Sequence, residues 1–292
     1  MSQSIPSTYR GVYSRWFYLP AAIIFTIFFL VPTAISFFFA FTRWTLFDWK
    51  WIGFENFKQF FREPALVNGL RNTVIYAFVT SSLKVVLGFL LAVLLTTKIK
   101  TRGLLRSIVF FPALVSTVAI GVTFGVLLHP SNGLLNTTLD LVGIDGPAWL
   151  TDTRLALLSV AIVDVWKGVG IATLIYIAGI VSIPKEYTEA VLVDGGGTYH
   201  KLRYVVIPLA RPATFTVILL SFVGGLRTFD LIWTMTGGGP GFTTDVLAST
   251  IYKQYQAGFY GLATAGNVVL FLLVILLAYP MQRYFIRKEL QL

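Results

Sequence analysis

The sequence has no cysteine and only two histidines and three methionines in 292 residues, and just 12% of it is charged. Without cysteine there is no disulfide and no thiolate metal site. His129 and His200 are too few and too far apart for a histidine cluster. So little charge cannot cover the surface of a soluble domain of this length. What remains is apolar: 56% of residues are hydrophobic and the mean hydropathy is +0.76. Runs long enough to cross about 30 Å of hydrocarbon recur along the chain. The expectation is an all-α membrane protein forming one transmembrane domain over residues 1–292. The net charge of +10 is not a nucleic-acid signature, because the cations flank apolar runs, where topology rules put them.

Length and flanking residues predict six spans, at about 17–40, 72–97, 104–128, 155–181, 213–235 and 262–282. The first run is too long for a cleaved signal peptide and lacks a small-residue cleavage site, so it is expected to stay as an anchor. With both termini cytoplasmic, the inside segments carry Arg10 and Arg15, then Lys98, Lys100, Arg102 and Arg106. Lys185, Lys201, Arg203 and Arg211 follow, and finally Arg283, Arg287 and Lys288. These outnumber the outside set of Arg43, Lys50, Lys58, Arg62, Arg71, Arg154 and Lys253, which supports that orientation. The first outside loop, WTLFDWKWIGFENFKQFFREP, suits the membrane–water boundary. The second, from His129 to Thr153, has the Gly, Pro, Asn and Asp content of an irregular surface loop.

Between the fourth and fifth spans lies EAVLVDGGGTYHKLRYVVIPL, Glu189 to Leu209. Ser182 can cap a helix, Pro184 suits its first turn, and Glu186 and Glu189 favour the positive end of its dipole. The helix is expected to stop at Gly195-Gly196-Gly197, where positive φ is cheap. A second short helix near Tyr199–Val205 is expected to break before Pro208. Such a helix–turn–helix knob could fit a partner's groove, or could be a connector lying on the membrane surface.

The stretch resembles the cytoplasmic EAA motif of ATP-binding-cassette (ABC) importer permeases. Glu189, Ala190, Asp194, Gly195, Val205, Ile207 and Pro208 occupy the motif's places in register, while Val191 and Gly196 stand where alanine is usual. WIGFENFKQFF after the first span and TMTGGGPGFTTDVLASTIYKQYQAGF after the fifth are similar to elements of carbohydrate and glycerol-phosphate permeases. The likeness covers nearly the whole chain. It points to the kind of subunit typified by the larger maltose-type permease, without that relative's extra N-terminal spans and large outside domain. The resemblance implies a type I importer fold with six transmembrane helices in a bacterial or archaeal cytoplasmic membrane. It implies a non-catalytic translocation subunit with no cofactor of its own, ATP and Mg being bound by the partner. The implied partners are a second homologous permease, two ATPase subunits, an extracytoplasmic solute-binding protein and a sugar. Glu189, Ala190, Asp194, Gly195 and Pro208 would then form the coupling site.

Five charges fall within the predicted spans: Lys84, Asp164, Lys167, Arg227 and Asp230. Each is costly in the bilayer and needs a partner. Asp164 with Lys167, and Arg227 with Asp230, are three apart and can pair on one helix face; Lys84 must reach an acid on another helix. The resemblance places the substrate path on the fourth and fifth spans. There Asp164, Gly168 and Ile171, with Trp166 and Lys167 adjacent, and Ser221, Gly225 and Thr228 form two stripes by spacing. Those stripes could equally be small-residue helix contacts. The Thr-Gly-Gly-Gly-Pro turn could be a gate, a docking surface or a flexible loop. A proton-coupled secondary transporter using Asp164 or Asp230 is the alternative function, although no inverted repeat is evident. The neutral stripe favours a sugar, while Lys167 and Arg227 leave glycerol phosphate open.

Overall fold

The computed structural model describes residues 15–97 and 99–289, which are mostly helical; Arg10, Lys98 and both chain ends lie outside them. The chain opens with one helical run, Trp16–Phe39, containing α1 (Leu19–Phe25) and α2 (Val31–Phe39). A π-helical turn, Thr26–Leu30, joins the two and ends two residues before Pro32. Proline has no N–H and its ring crowds the preceding turn, so a wider turn there keeps the helix running. A small antiparallel hairpin follows, β1 (Thr42–Trp44) on β2 (Trp49–Trp51), with Arg43 opposite Lys50. This hairpin departs from the all-helical expectation. Asn56 fastens it, donating to the carbonyls of Ala40 (2.9 Å) and Thr42 (2.8 Å). The hairpin exposes Trp49 and Trp51, and Phe54, at the cap position of the following α3 (Glu55–Arg62), is exposed beside them, the aromatic collar expected of a boundary segment.

α4 (Pro64–Thr96) is the central helix, and it begins eight residues earlier than 72 because Pro64 is well suited to a first turn. α5 (Arg102–Leu114) and α6 (Thr117–Leu127) occupy the third apolar run. The sequence predicts one span there, but the two helices meet at 96°. Pro112 weakens the end of α5, and the extended Val115 and Ser116 turn the chain. The following segment is organised rather than irregular. It carries α7 (Leu134–Asp140), and the buried Asn136 side chain bonds Pro130 O, Pro147 O and the Trp149 indole N–H.

α8 (Ala156–Val181) matches its predicted span. Two short helices, α9 (Lys185–Val193) and α10 (Thr198–Lys201), lead through a π turn, Leu202–Val206, into α11 (Ile207–Leu209). The helix therefore does not break before Pro208. The π turn again ends two residues ahead of the proline, as at Pro32. The chain then bends by 63° into α12 (Arg211–Leu226). The predicted span to 235 is interrupted after Leu226, and α13 (Asp230–Met235) is a separate helix. α14 (Leu247–Gln256) and the long α15 (Tyr260–Glu289) complete the chain. Four helical segments are long and apolar enough to cross a membrane, and up to six are if each bent pair is one span.

Small residues let the central helices close. A methyl added at Gly88 of α4 would lie 2.8 Å from Ala172 Cβ on α8, and one at Gly179 would lie 2.6 Å from Ala213 Cβ on α12. Lipid supplies no hydrophobic force between helices, so such close backbone contact is what holds them together.

Candidate functional site

The segment between α8 and α12 forms a knob with a defined turn. Val191 O accepts from Gly196 N–H (2.8 Å) and Leu192 O accepts from Gly195 N–H (3.1 Å). These are the paired bonds of a Schellman ending, with Asp194 as the C-cap and Gly195 at φ +76°. Glycine is needed at 195 for its backbone angle, not for space, since nothing lies within 4 Å of an added Cβ. At Gly196 the reason is contact: a Cβ there would come 2.6 Å from Val191 Cγ1. The two positions where the motif usually has alanine are thus neighbours in space. Ser182 does not cap α9; its hydroxyl donates to Gly179 O (2.9 Å) and closes α8, while Pro184 occupies the cap position.

α9 buries none of its residues. Glu189 and Ala190 are exposed on it, and at its end Leu192 and Val193 are 66% and 86% exposed. Pro208 is half-buried in α11, at the base of the knob.

The second site lies among α4, α8 and α12. Lys84 Nζ is 2.8 Å from Asp164 Oδ2, and both side chains are largely buried. Lys84 thus finds its acid on another helix. Asp164 is not paired with Lys167, and among the described residues no ion pair joins Arg227 to Asp230. Gly168, one turn from Asp164, makes room for the lysine: a Cβ there would lie 2.7 Å from Lys84 Cε. In a low-dielectric interior such a pair mainly compensates its own desolvation, and losing one partner costs about 3–5 kcal/mol.

The stripe on α12 faces the same central helix. A Cβ at Gly225 would lie 2.6 Å from Ala77 Cα and 3.1 Å from Thr80 Oγ1. Gly168 and Gly225 are both points of close approach to α4, as the helix-contact reading of the stripes requires. Thr228 falls beyond the end of α12, so the regular stripe stops at Gly225. Tyr76 is buried beneath this corner. Its hydroxyl meets no partner in hydrogen-bonding geometry, with Thr228 and the Asp164 carboxylate as polar neighbours. Ser221 and Lys167 are half-buried and Ile171 is exposed. Trp166 lies against Phe124 of α6 (5.2 Å between centroids). Two residues along a helix from Asp164, it points about 200° away from the ion pair.

A third cluster gives little sign of itself in the sequence. The Thr-Gly-Gly-Gly-Pro segment is a folded loop built around Asp245, which is fully buried. Asp245 pairs with Lys253 (2.7 Å) and accepts from Ser249 Oγ (2.7 Å). Asn72 of α4 donates to the carbonyls of Thr243 and Asp245, and Thr73 Oγ1 accepts from Leu247 N–H. Gly238, at φ +90°, leaves the space that the Asp245 carboxylate fills. Alternation of glycine and threonine reads as a flexible loop until the buried acid is seen.

Residues 84–290 match the family of binding-protein-dependent transport system inner membrane components. A probable ABC transporter permease protein of Pyrococcus horikoshii is 35% identical, with 90% of this chain and 92% of that protein aligned. The trehalose/maltose transport system permease protein MalF of Thermococcus litoralis is 30% identical, with 88% of each covered. The sn-glycerol-3-phosphate transport system permease protein UgpA of Pectobacterium atrosepticum is also 30% identical, with 92% of each covered. Among solved structures, a chain of a bacterial ABC transporter for import of the acidic polysaccharide alginate superposes with a TM-score of 0.84. That match is 24% identical and covers 93% of this chain and 94% of that one, a likeness of fold. The chain belongs to the family of membrane-spanning permease subunits of binding-protein-dependent ABC importers.

Proposed function

We propose that this permease subunit spans the membrane six times with both termini cytoplasmic, and passes a sugar or oligosaccharide inward by alternating access. The observation that carries the reading is the α9 knob. It is an ordered helix with a fixed turn that buries none of its own residues and ends in exposed Leu192 and Val193. Beyond the ends of the spans such apolar side chains need a protein groove. Glu189 and Ala190 would enter the cleft of a cytoplasmic ATPase, with Glu189 meeting a basic residue and Gly195 holding the turn. Closure of two ATPase subunits on ATP, which they bind with Mg, would move this knob and that of a second permease as rigid bodies. This chain itself is non-catalytic.

The substrate path runs along α8 and α12, where Lys167, Ile171 and Ser221 remain accessible. Asp164, Gly168, Gly225 and Thr228 form the wall behind it with α4, and Trp166 flanks it on Phe124. The relatives named for trehalose/maltose and for glycerol 3-phosphate support a hydroxyl-rich substrate and leave its charge to experiment. An extracytoplasmic solute-binding protein would deliver it to the side that carries the Asp245 loop. Purification in detergent tests the assembly: this reading requires ATPase subunits and a second permease in stoichiometric amounts. Uptake across a panel of neutral sugars and sugar phosphates tests the substrate. Solitary purification with proton-driven uptake would refute the reading.

A further inference from the structure

A cavity of about 340 Å³ lies beneath the knob, between the ends of α4 and α8 on one side and α9 and α10 on the other. Lys185 at the start of α9 and Lys201 at the end of α10 line it. Among the described residues the ion pairs are Lys58–Glu55, Lys84–Asp164 and Lys253–Asp245, so neither lysine has a carboxylate partner. Among the described residues, no carboxylate lines the cavity. The hydroxyls of Thr96, Thr97 and Thr188 already donate to backbone carbonyls (2.9, 2.6 and 2.8 Å), which leaves the two ammonium groups and the Thr198 hydroxyl as the side-chain donors of the described lining. The rest of the lining is aliphatic: Val93, Ile180, Val181, Ile183, Leu202 and Val206. Val181, at the end of α8, is exposed.

We propose that this cavity binds an anionic phospholipid, with the headgroup phosphate between Lys185 and Lys201 and the upper part of an acyl chain along Val93, Ile180 and Leu202. The proposal rests on the placement of the knob at the cytoplasmic face. A soluble phosphate ester would leave the aliphatic wall bare, and a zwitterionic lipid would offset the two cations poorly. A cytoplasmic leaflet that carries anionic lipid supplies both features in one molecule. The bound lipid would fill the space through which movement of α9 reaches α4 and α8, so it would stiffen the coupling without touching the ATPase cleft.

The test uses the whole transporter, purified with its ATPase and second permease and placed in nanodiscs of phosphatidylcholine with or without phosphatidylglycerol. Wild type is expected to retain phosphatidylglycerol through delipidation, read by mass spectrometry. K185Q/K201Q should lose that retention by about tenfold or more, whereas R203Q/K288Q, cations outside the cavity, should keep it. Thr198→Asp, which puts a carboxylate into the lining, should match the lysine variant. ATPase co-purification should be the same in all four proteins. If it fails in wild type, the functional reading falls whatever the lipid does. Equal retention by wild type and K185Q/K201Q would overturn the lipid site. So would displacement of the lipid by millimolar inorganic phosphate, which would make the site one for a soluble anion.

Discussion

Val191 and Gly196 are locked together across the end of α9: a Cβ on Gly196 would lie 2.6 Å from Val191 Cγ1 and 2.8 Å from Val191 O. Each departs from the alanine usual in the motif, and the larger side chain at one is offset by the smaller at the other. Gly196→Ala alone should push α9 off its turn and weaken hydrolysis stimulated by substrate and binding protein. Val191→Ala should be nearly neutral alone and should recover only the side-chain part of the loss in the double variant, because the close approach to Val191 O remains. Purified ATPase assays on the four proteins of the cycle measure this coupling.

The Lys84–Asp164 pair should behave as a buried unit. Lys84→Met leaves a carboxylate unpaired and should destabilise the bundle by about 3–5 kcal/mol, while Lys84→Met with Asp164→Leu should cost much less. Gly168→Leu should mimic the single variant by displacing Lys84, and Gly225→Trp should abolish assembly, because it would drive into the backbone of α4 at Ala77. Thermal unfolding in detergent and yield of the assembled complex read out each case.

Much of this was legible from residue order. The first and fourth apolar runs became helices close to where they were expected, because span length follows from bilayer thickness. The second starts earlier and the sixth runs on further than the apolar run alone. The knob's glycine turn followed from the need for positive φ at Gly195. What sequence could not supply was long-range pairing. Lys84 reaches an acid eighty residues away, whereas local spacing favoured Asp164 with Lys167. Helix breaks were misread for a related reason: extended backbone at Val115–Ser116 splits an unbroken apolar run, and a π turn carries the chain past Pro208. The Asp245 cluster was hidden because its buried acid lies in a loop whose composition suggests mobility.

Asp245 should anchor its own loop. Asp245→Asn removes the charge facing Lys253 and weakens the acceptor for Ser249, so the loop should loosen at its junction with Asn72 and Thr73. Stimulation by the solute-binding protein should fall several-fold, while basal hydrolysis and assembly persist. Hydrogen exchange over residues 236–250, compared with wild type, gives an independent reading.

Orientation can be read directly, because the chain has no cysteine. His200→Cys should be protected from an impermeant thiol reagent in intact cells and labelled after permeabilisation, whereas Phe242→Cys, with its exposed side chain, should label from outside. Labelling at 200 in intact cells would reverse the topology.

The central claim is that α9 docks the ATPase, and Gly195 and Glu189 test it most directly. At φ +76° a β-branched side chain is strained by about 1–3 kcal/mol, so Gly195→Val should distort the turn while leaving the spans inserted. Glu189→Lys reverses an exposed charge without touching the fold. The decisive measurement is co-purification of the ATPase with each variant, followed by hydrolysis stimulated by binding protein and substrate. The account predicts normal membrane insertion, with reduced association or uncoupled hydrolysis in both. Wild-type association and stimulation in both variants would contradict it and make the knob a passive connector.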